Sequence, residues 1–313
     1  MEWKPIIVGI DDSTESRRAA ALAQEIARRA RTTCHPIHAT RDLWSAFKVA
    51  ASRTTRFETS AVASLSEWNR TVVNAVTKEM QAAFGPYLSD DTLANLEVTI
   101  GKPGDALMKS AALLDASVVV IGERQHGFVE RLFGASTAEH LLHHFGTPVI
   151  VASPTKPVFK RVLVAVDFSD GATGTIMWAE RIARLFGAQM RVLHVVEILP
   201  QTDETKIGLS QEGFFELCGE TFEESIWPHV TIDGAEPSTR QGHVLDTILD
   251  EVKDWDADLL VVASHGKGIV ESLLLGSTTD KLMHDADIPL LIVPPRAWNV
   301  AGKEERDTEA SAA

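Results

Sequence analysis

This sequence has few features suited to an oxidising compartment, a membrane or nucleic acid. It holds only two cysteines, Cys34 and Cys218, in 313 residues. They are too few and too far apart for a disulfide framework, and neither has a motif around it. Both read as core or half-buried residues, and a reducing cytoplasmic setting is expected. Lys and Arg number 30 against 44 Asp and Glu, a formal net charge of −14. Phosphate backbones and anionic lipid surfaces need clustered Lys and Arg, so neither nucleic acid nor a membrane surface is an expected partner. No apolar run is long enough to span a bilayer, and Met1-Glu2-Trp3-Lys4-Pro5 carries no signal-peptide pattern.

The common chemical signatures are absent too. G-x-x-x-x-G-K-[ST] does not occur, and the G-x-G at Gly266 is followed by Glu271 where a dinucleotide fingerprint needs glycine. No Ser/His/Asp or Cys/His constellation can be assembled. The carboxylate pairs Asp11-Asp12 and Asp256/Asp258 lack an acid–base context. His140, His143 and His144 have metal-compatible spacing on one predicted helix. Their counterparts are Lys281, His284 and Asp285, so the set is not repeated, and it reads as a solvated or half-buried face. No catalytic residue and no metal ligand is assigned.

What is present is a repeat. Apolar residues make up 44% and charged residues 24% of a chain long enough for two domains. Ile6 to Ile10, then Asp11-Asp12-Ser13, is echoed by Arg161 to Val166, then Asp167-Phe168-Ser169. His38-Ala39 is echoed by His194-Val195. Further on, Gly101 pairs with Gly242, Asp115-Ala116 with Asp256-Ala257, Ser136-Thr137 with Ser277-Thr278, and Pro148 with Pro289. The offset falls from 156 to 141 residues, so the first half carries the longer insert, which includes a helix expected over 61–84. Strands alternate with helices in both halves, which predicts a parallel sheet covered on both faces.

The informative stretch runs from Leu259 to about His284. An apolar strand, Leu259 to Ala263, enters a loop with Gly266 and Gly268, and a helix opens near Ser277 after Gly276. Glycines let main chain approach an anion, and a helix start offers free N–H groups. The structural alternative is a plain turn, with Ser277 as N-cap and Asp280 as capping-box partner. His265 in the loop either donates to a phosphate or faces water.

Taken in order, these repeated features resemble a tandem universal stress protein, over roughly residues 4–153 and 158–295. The resemblance implies an α/β fold of two Rossmann-like, doubly wound domains. Each would be a five-stranded parallel sheet in the order 3-2-1-4-5, and the two would pack as a pseudo-two-fold pair through Pro148 to Ala152 and Pro289 to Val293. Nucleotide-binding members of that family carry Gly, two residues, Gly, nine residues, then Gly and Ser or Thr. The second half reads Ala263, Gly266, Gly276, Ser277 at those places; the first reads Gly122, Gln125, Ala135, Ser136.

The expected organisation is a first domain over 1–154 with a degenerate loop, a second over 155–295 with the nucleotide site, and a disordered tail over 296–313. By similarity, Asp167 and Val195 would line the adenosine end, with Ala263 beside the ribose. Gly266, Gly276, Ser277 and Thr278 would hold the phosphates, with His265 beside them. The implied ligand is ATP or another adenine nucleotide, with or without Mg2+. The implied role is that of a stress-response sensor or regulator acting on an unknown protein partner. A nucleotide-free scaffold and a slow ATPase stay open as alternatives, as does a homodimer of whole chains.

Overall fold

The computed structural model describes residues 2–40, 60–122, 146–153, 157–198, 208–266 and 275–298. By its internal contacts the chain forms two compact units, residues 1–122 and 123–313.

The first unit begins with β1 (Ile6–Gly9), α1 (Thr14–Ala30) and β2 (Cys34–Thr40). The helix α2 (Ser60–Phe84) and the short α3 (Asp90–Ala94) follow. The unit closes with β3 (Glu97–Ile100), α4 (Pro103–Leu113) and β4 (Val118–Gly122). Its strands lie in the order β3-β2-β1-β4, all parallel. Ile6, Ile7, Val8, Val118, Val119 and Val120 are wholly buried, as strands covered on both faces must be. α1 packs on β1 and β4, and α4 packs on β1 and β2. Each fully buried Val or Ile contributes roughly 1.5–3 kcal/mol over an exposed one.

Local chemistry sets the ends of α1. Ser13 caps it, its hydroxyl accepting from Ser16 N at 3.1 Å. Glu15 sits in the first turn, and Arg28 and Arg29 in the last, which suits the helix dipole. Arg31 closes it in the left-handed region at φ 53, its N–H directed to Ala27 and Arg28 carbonyls. That conformation costs a non-glycine residue about 1–2 kcal/mol. The corresponding residue of the second half is Gly187, at φ 67. α3 was not anticipated, although Ser89 caps it through Thr92 N at 3.3 Å and two aspartates open it.

The second unit contains β5 (Val149–Ala152), β6 (Arg161–Val166), α5 (Gly171–Phe186) and β7 (Gln189–Val196). Then come α6 (Gln211–Ser225), a 3-10 turn (Trp227–His229), β8 (Glu236–Gln241) and α7 (Val244–Asp254). The last elements are β9 (Leu259–Ala263), α8 (Ser277–Asp285), β10 (Leu290–Val293) and α9 (Pro295–Trp298). Strand order is β8-β7-β6-β9-β10-β5. All neighbours are parallel except β10 and β5, which run antiparallel. α6 is 15 residues against 25 in α2, which accounts for much of the change in repeat offset.

The expected meeting of the two final strands is present as this β5–β10 pair. Ile150 faces Leu291, while Val149 faces Ile292 and Val151 faces Leu290. Ile150 and Leu291 are themselves repeat equivalents, so the strand pair turns about a local two-fold at that position. This pairing is why β5 groups with the second compact unit. Residues 295–298, at the start of the tail expected to be disordered from 296, are helical, and 299–313 lie outside the described residues. Pro295 opens α9, which packs on α5 and buries Ala297.

The polar edge strand β8 is held by charge. Arg191 donates to Glu236 and, at 2.9 Å, to Glu251; Arg240 donates to Glu251 at 2.6 Å and Asp254 at 2.9 Å. Glu251 is buried, so its two guanidinium partners are what let its carboxylate stay inside. Trp255 covers Arg191, with the guanidinium carbon 4.6 Å from its ring centre.

Candidate functional site

The carboxyl ends of β6, β7 and β9 converge where β6 has β7 on one side and β9 on the other. Chain direction across the sheet reverses there, and doubly wound sheets leave a crevice at such a point. Asp167 follows β6, Val195 is the penultimate residue of β7, Ala263 ends β9, and Gly276 precedes α8. The predicted residues are therefore grouped at one edge of the second unit.

Asp167 is fixed by its own turn. Its Oδ1 accepts from Ser169 N at 3.1 Å and from the Ser169 hydroxyl. The first half builds the same turn, with Asp11 Oδ1 accepting from Ser13 N at 3.0 Å and the Ser13 hydroxyl. The helices that follow differ. Ser13 caps α1, whereas α5 starts at Gly171 with no side-chain cap from Asp170.

Gly266 and Asp167 are in close approach. A Cβ on Gly266 would lie 2.8 Å from Asp167 Oδ2. Only glycine lets the loop pass that carboxylate without displacing it. Gly276 is similarly confined, since its Cβ would stand 3.3 Å from the Ser264 carbonyl oxygen. Gly276 N–H donates to that same carbonyl at 2.9 Å, and the Thr279 hydroxyl donates to the Ala263 carbonyl at 2.9 Å. Two bonds thus tie the start of α8 to the end of β9.

These bonds revise three expectations. Gly276 is the N-cap of α8 and Ser277 is its first helical residue, exposed, so Ser277 does not cap the helix. The Gly276 N–H is used inside the loop, so what Gly276 offers a ligand is its lack of a side chain. The remaining first-turn amides are those of Ser277, Thr278 and Thr279, and among the described residues no side chain caps them. His265 does not face water. It is buried, with Nδ1 2.8 Å from the Ser264 hydroxyl.

Thr279 and Ser264 were not singled out from the sequence. Ser264 is fully buried, and no spacing distinguishes it from any other loop serine. Thr279 differs from Thr278 only by its helical phase, which becomes legible once Gly276 is known to be the cap.

In the first half, the position equivalent to Ala263 is Gly122, and it is closed by main chain. A Cβ there would meet the Glu15 carbonyl carbon at 2.6 Å and Ser16 N at 2.7 Å. The first turn of α1 therefore lies directly against the end of β4. Gln125, Ala135, Ser136 and the histidines 140, 143 and 144 lie outside the described residues, as do residues 41–59 of the insert.

The residues present fit a small anionic ligand in part. Two glycines leave bare main chain, and the start of α8 supplies amides that no described side chain caps, but one expected donor is taken. Among the described residues no helix is long and apolar enough to cross a membrane.

The profile of the universal stress protein family matches residues 2–153 and again 159–294. A universal stress protein of Mycolicibacterium smegmatis is 26% identical over 308 residues, covering 93% of this chain and 97% of its own length. One of Mycobacterium tuberculosis is 27% identical over 302 residues, covering 92% and 96%. Among solved structures, a universal stress protein from Archaeoglobus fulgidus superposes with a TM-score of 0.58 at 19% identity, covering 93% of this chain and 96% of that one. That likeness concerns the fold. With both halves matched over nearly their whole length, and with the Asp-x-Ser turns and the turn glycines Gly101 and Gly242 repeating between them, the chain belongs to the universal stress protein family as a tandem of two family domains.

Proposed function

We propose that the second domain binds an adenine nucleotide, ATP or a close relative, and that the protein acts in a stress response by binding rather than by turnover. The observation that carries the reading is the close approach of Gly266 to Asp167 at the carboxyl ends of β6 and β9, beside the start of α8. Asp167 and Val195 would meet the adenosine moiety, and Ala263 would lie beside the ribose. Gly266 and Gly276 would leave room for the phosphates, which the amides and hydroxyls of Ser277 and Thr278 would receive. Mg2+ would enter with those phosphates, since no protein ligand for it is assigned. The first domain would stay empty, because Gly122 is closed by α1 and two phosphate-side glycines are replaced by Gln125 and Ala135.

One observation favours a second reading, a nucleotide-free scaffold that works through its surface alone. The Gly276 N–H, an expected phosphate donor, already satisfies the Ser264 carbonyl. Mass spectrometry of small molecules released on denaturing the purified chain separates the two. A retained adenine nucleotide at up to one per chain supports the first; its absence, together with no binding of added ATP, supports the second.

A further inference from the structure

Two histidines, one per domain, make the same bond. His38 Nδ1 lies 2.8 Å from the Ile10 carbonyl oxygen, and His194 Nδ1 lies 3.0 Å from that of Val166. Ile10 and Val166 each immediately precede the aspartate of an Asp-x-Ser turn, Asp11 or Asp167. A carbonyl only accepts, so Nδ1 carries the proton and donates in both places.

The second domain adds a further hold. The His194 ring lies 4.2 Å, centre to centre, from Phe168, the residue immediately after Asp167. It is also 6.2 Å, centre to centre, from Phe222, which is fully buried in α6. The first domain has Asp12 where Phe168 stands, so there the histidine keeps the hydrogen bond without this aromatic contact.

A buried ring that only filled volume would need no donor, and a phenylalanine or leucine would avoid the cost of burying imidazole. His194 instead contacts the residue on each side of Asp167. We propose that His194 is a positioning residue of the second domain. It fixes the main chain before and after Asp167, and so sets where the carboxylate stands relative to Gly266. Its effect on ligand affinity rests on the nucleotide reading above; its effect on the turn does not.

The test compares His194→Phe, which keeps a ring and loses the donor, with His194→Asn, which returns an N–H near the place of Nδ1. Two quantities are read: the Kd of a fluorescent ATP analogue, and hydrogen exchange at the Ser169 amide, which is bonded to Asp167. His194→Phe should weaken binding roughly tenfold and speed exchange at Ser169, and His194→Asn should recover most of both. In an Asp167→Ala background, His194→Phe should weaken binding no further.

Unchanged exchange at Ser169 in His194→Phe overturns the proposal, as does an affinity loss that adds in full to that of Asp167→Ala. If the wild type binds no nucleotide, the functional reading fails while the Ser169 exchange still decides the positioning role. Should His194→Phe not fold, the tautomer of His194 in the wild type decides by nitrogen-15 NMR. A proton on Nδ1 supports the proposal, and a neutral ring protonated only at Nε2 overturns it.

Discussion

Asp167 and Gly266, 99 residues apart in sequence, stand so close that a side chain on Gly266 would begin 2.8 Å from the Asp167 carboxylate. The first strand's turn and the fourth strand's loop thereby become one feature. Gly266→Ala should push the carboxylate aside, because the far end of a side chain yields more readily than main chain. Thermal stability should fall by no more than about 1 kcal/mol, while affinity for a fluorescent ATP analogue should fall roughly tenfold. Equal affinity in the two proteins would mean that the contact is only packing.

The charge cluster on β7, β8 and α7 makes a stability prediction away from the crevice. Glu251 is buried between Arg191 and Arg240. Removing it with Glu251→Ala leaves two guanidinium groups without that carboxylate and should destabilise the fold by about 3 kcal/mol in urea unfolding. Nucleotide binding at temperatures where the variant is folded should not change. A loss under about 0.5 kcal/mol would show that water replaces the carboxylate at little cost.

Glu25 gives a pH-dependent prediction. Hydrogen bonds from Arg28, and secondarily from Arg29, hold its carboxyl down at about 2 against an ordinary 4.5. A depressed carboxylate stabilises the fold above the unfolded value and loses that contribution as pH falls through the folded value. The pair lies near the surface, so the contribution is at most about 1 kcal/mol. The stability gap between wild type and Glu25→Gln should therefore be present at pH 7 and should shrink between about pH 4.5 and 2. A gap independent of pH would contradict the assignment.

Cys34 makes a reactivity prediction. Burial pushes its thiol up to about 12, so almost no thiolate exists at pH 8. A thiol reagent followed by peptide mapping should leave Cys34 unlabelled in the native chain and label it at the free-thiol rate in denaturant. Rapid native labelling would show that the end of β2 opens.

The doubled architecture was legible in the sequence because its determinants are local and occur twice. Asp11 and Asp167 build identical turns. Asp115 and Asp256 share left-handed backbone at φ 48 and 53, and Gly101 and Gly242 share φ 150 and 157. Buried strands such as Val118–Gly122 and Leu259–Ala263 are continuous apolar runs bounded by turn residues, and those runs carry most of the fold. The site was less legible. Its residue types followed from the repeat and the family spacing, but their hydrogen bonds did not. That Gly276 rather than Ser277 caps α8, and that Thr279 rather than Thr278 ties back to Ala263, depends on a helical phase fixed by the Ser264 carbonyl. His265 read from the sequence as a loop residue that either donates to a phosphate or faces water. Its burial against Ser264 is a tertiary outcome without a sequence signal.

The most direct measurement is calorimetric titration of ATP into the wild-type chain and into Gly276→Trp, whose side chain would crowd the start of α8, where even a Cβ stands 3.3 Å from the Ser264 carbonyl oxygen. The account predicts one site per 313-residue chain in the wild type and none in the variant, with circular dichroism unchanged. No heat of binding in either protein, or equal binding in both, would contradict it.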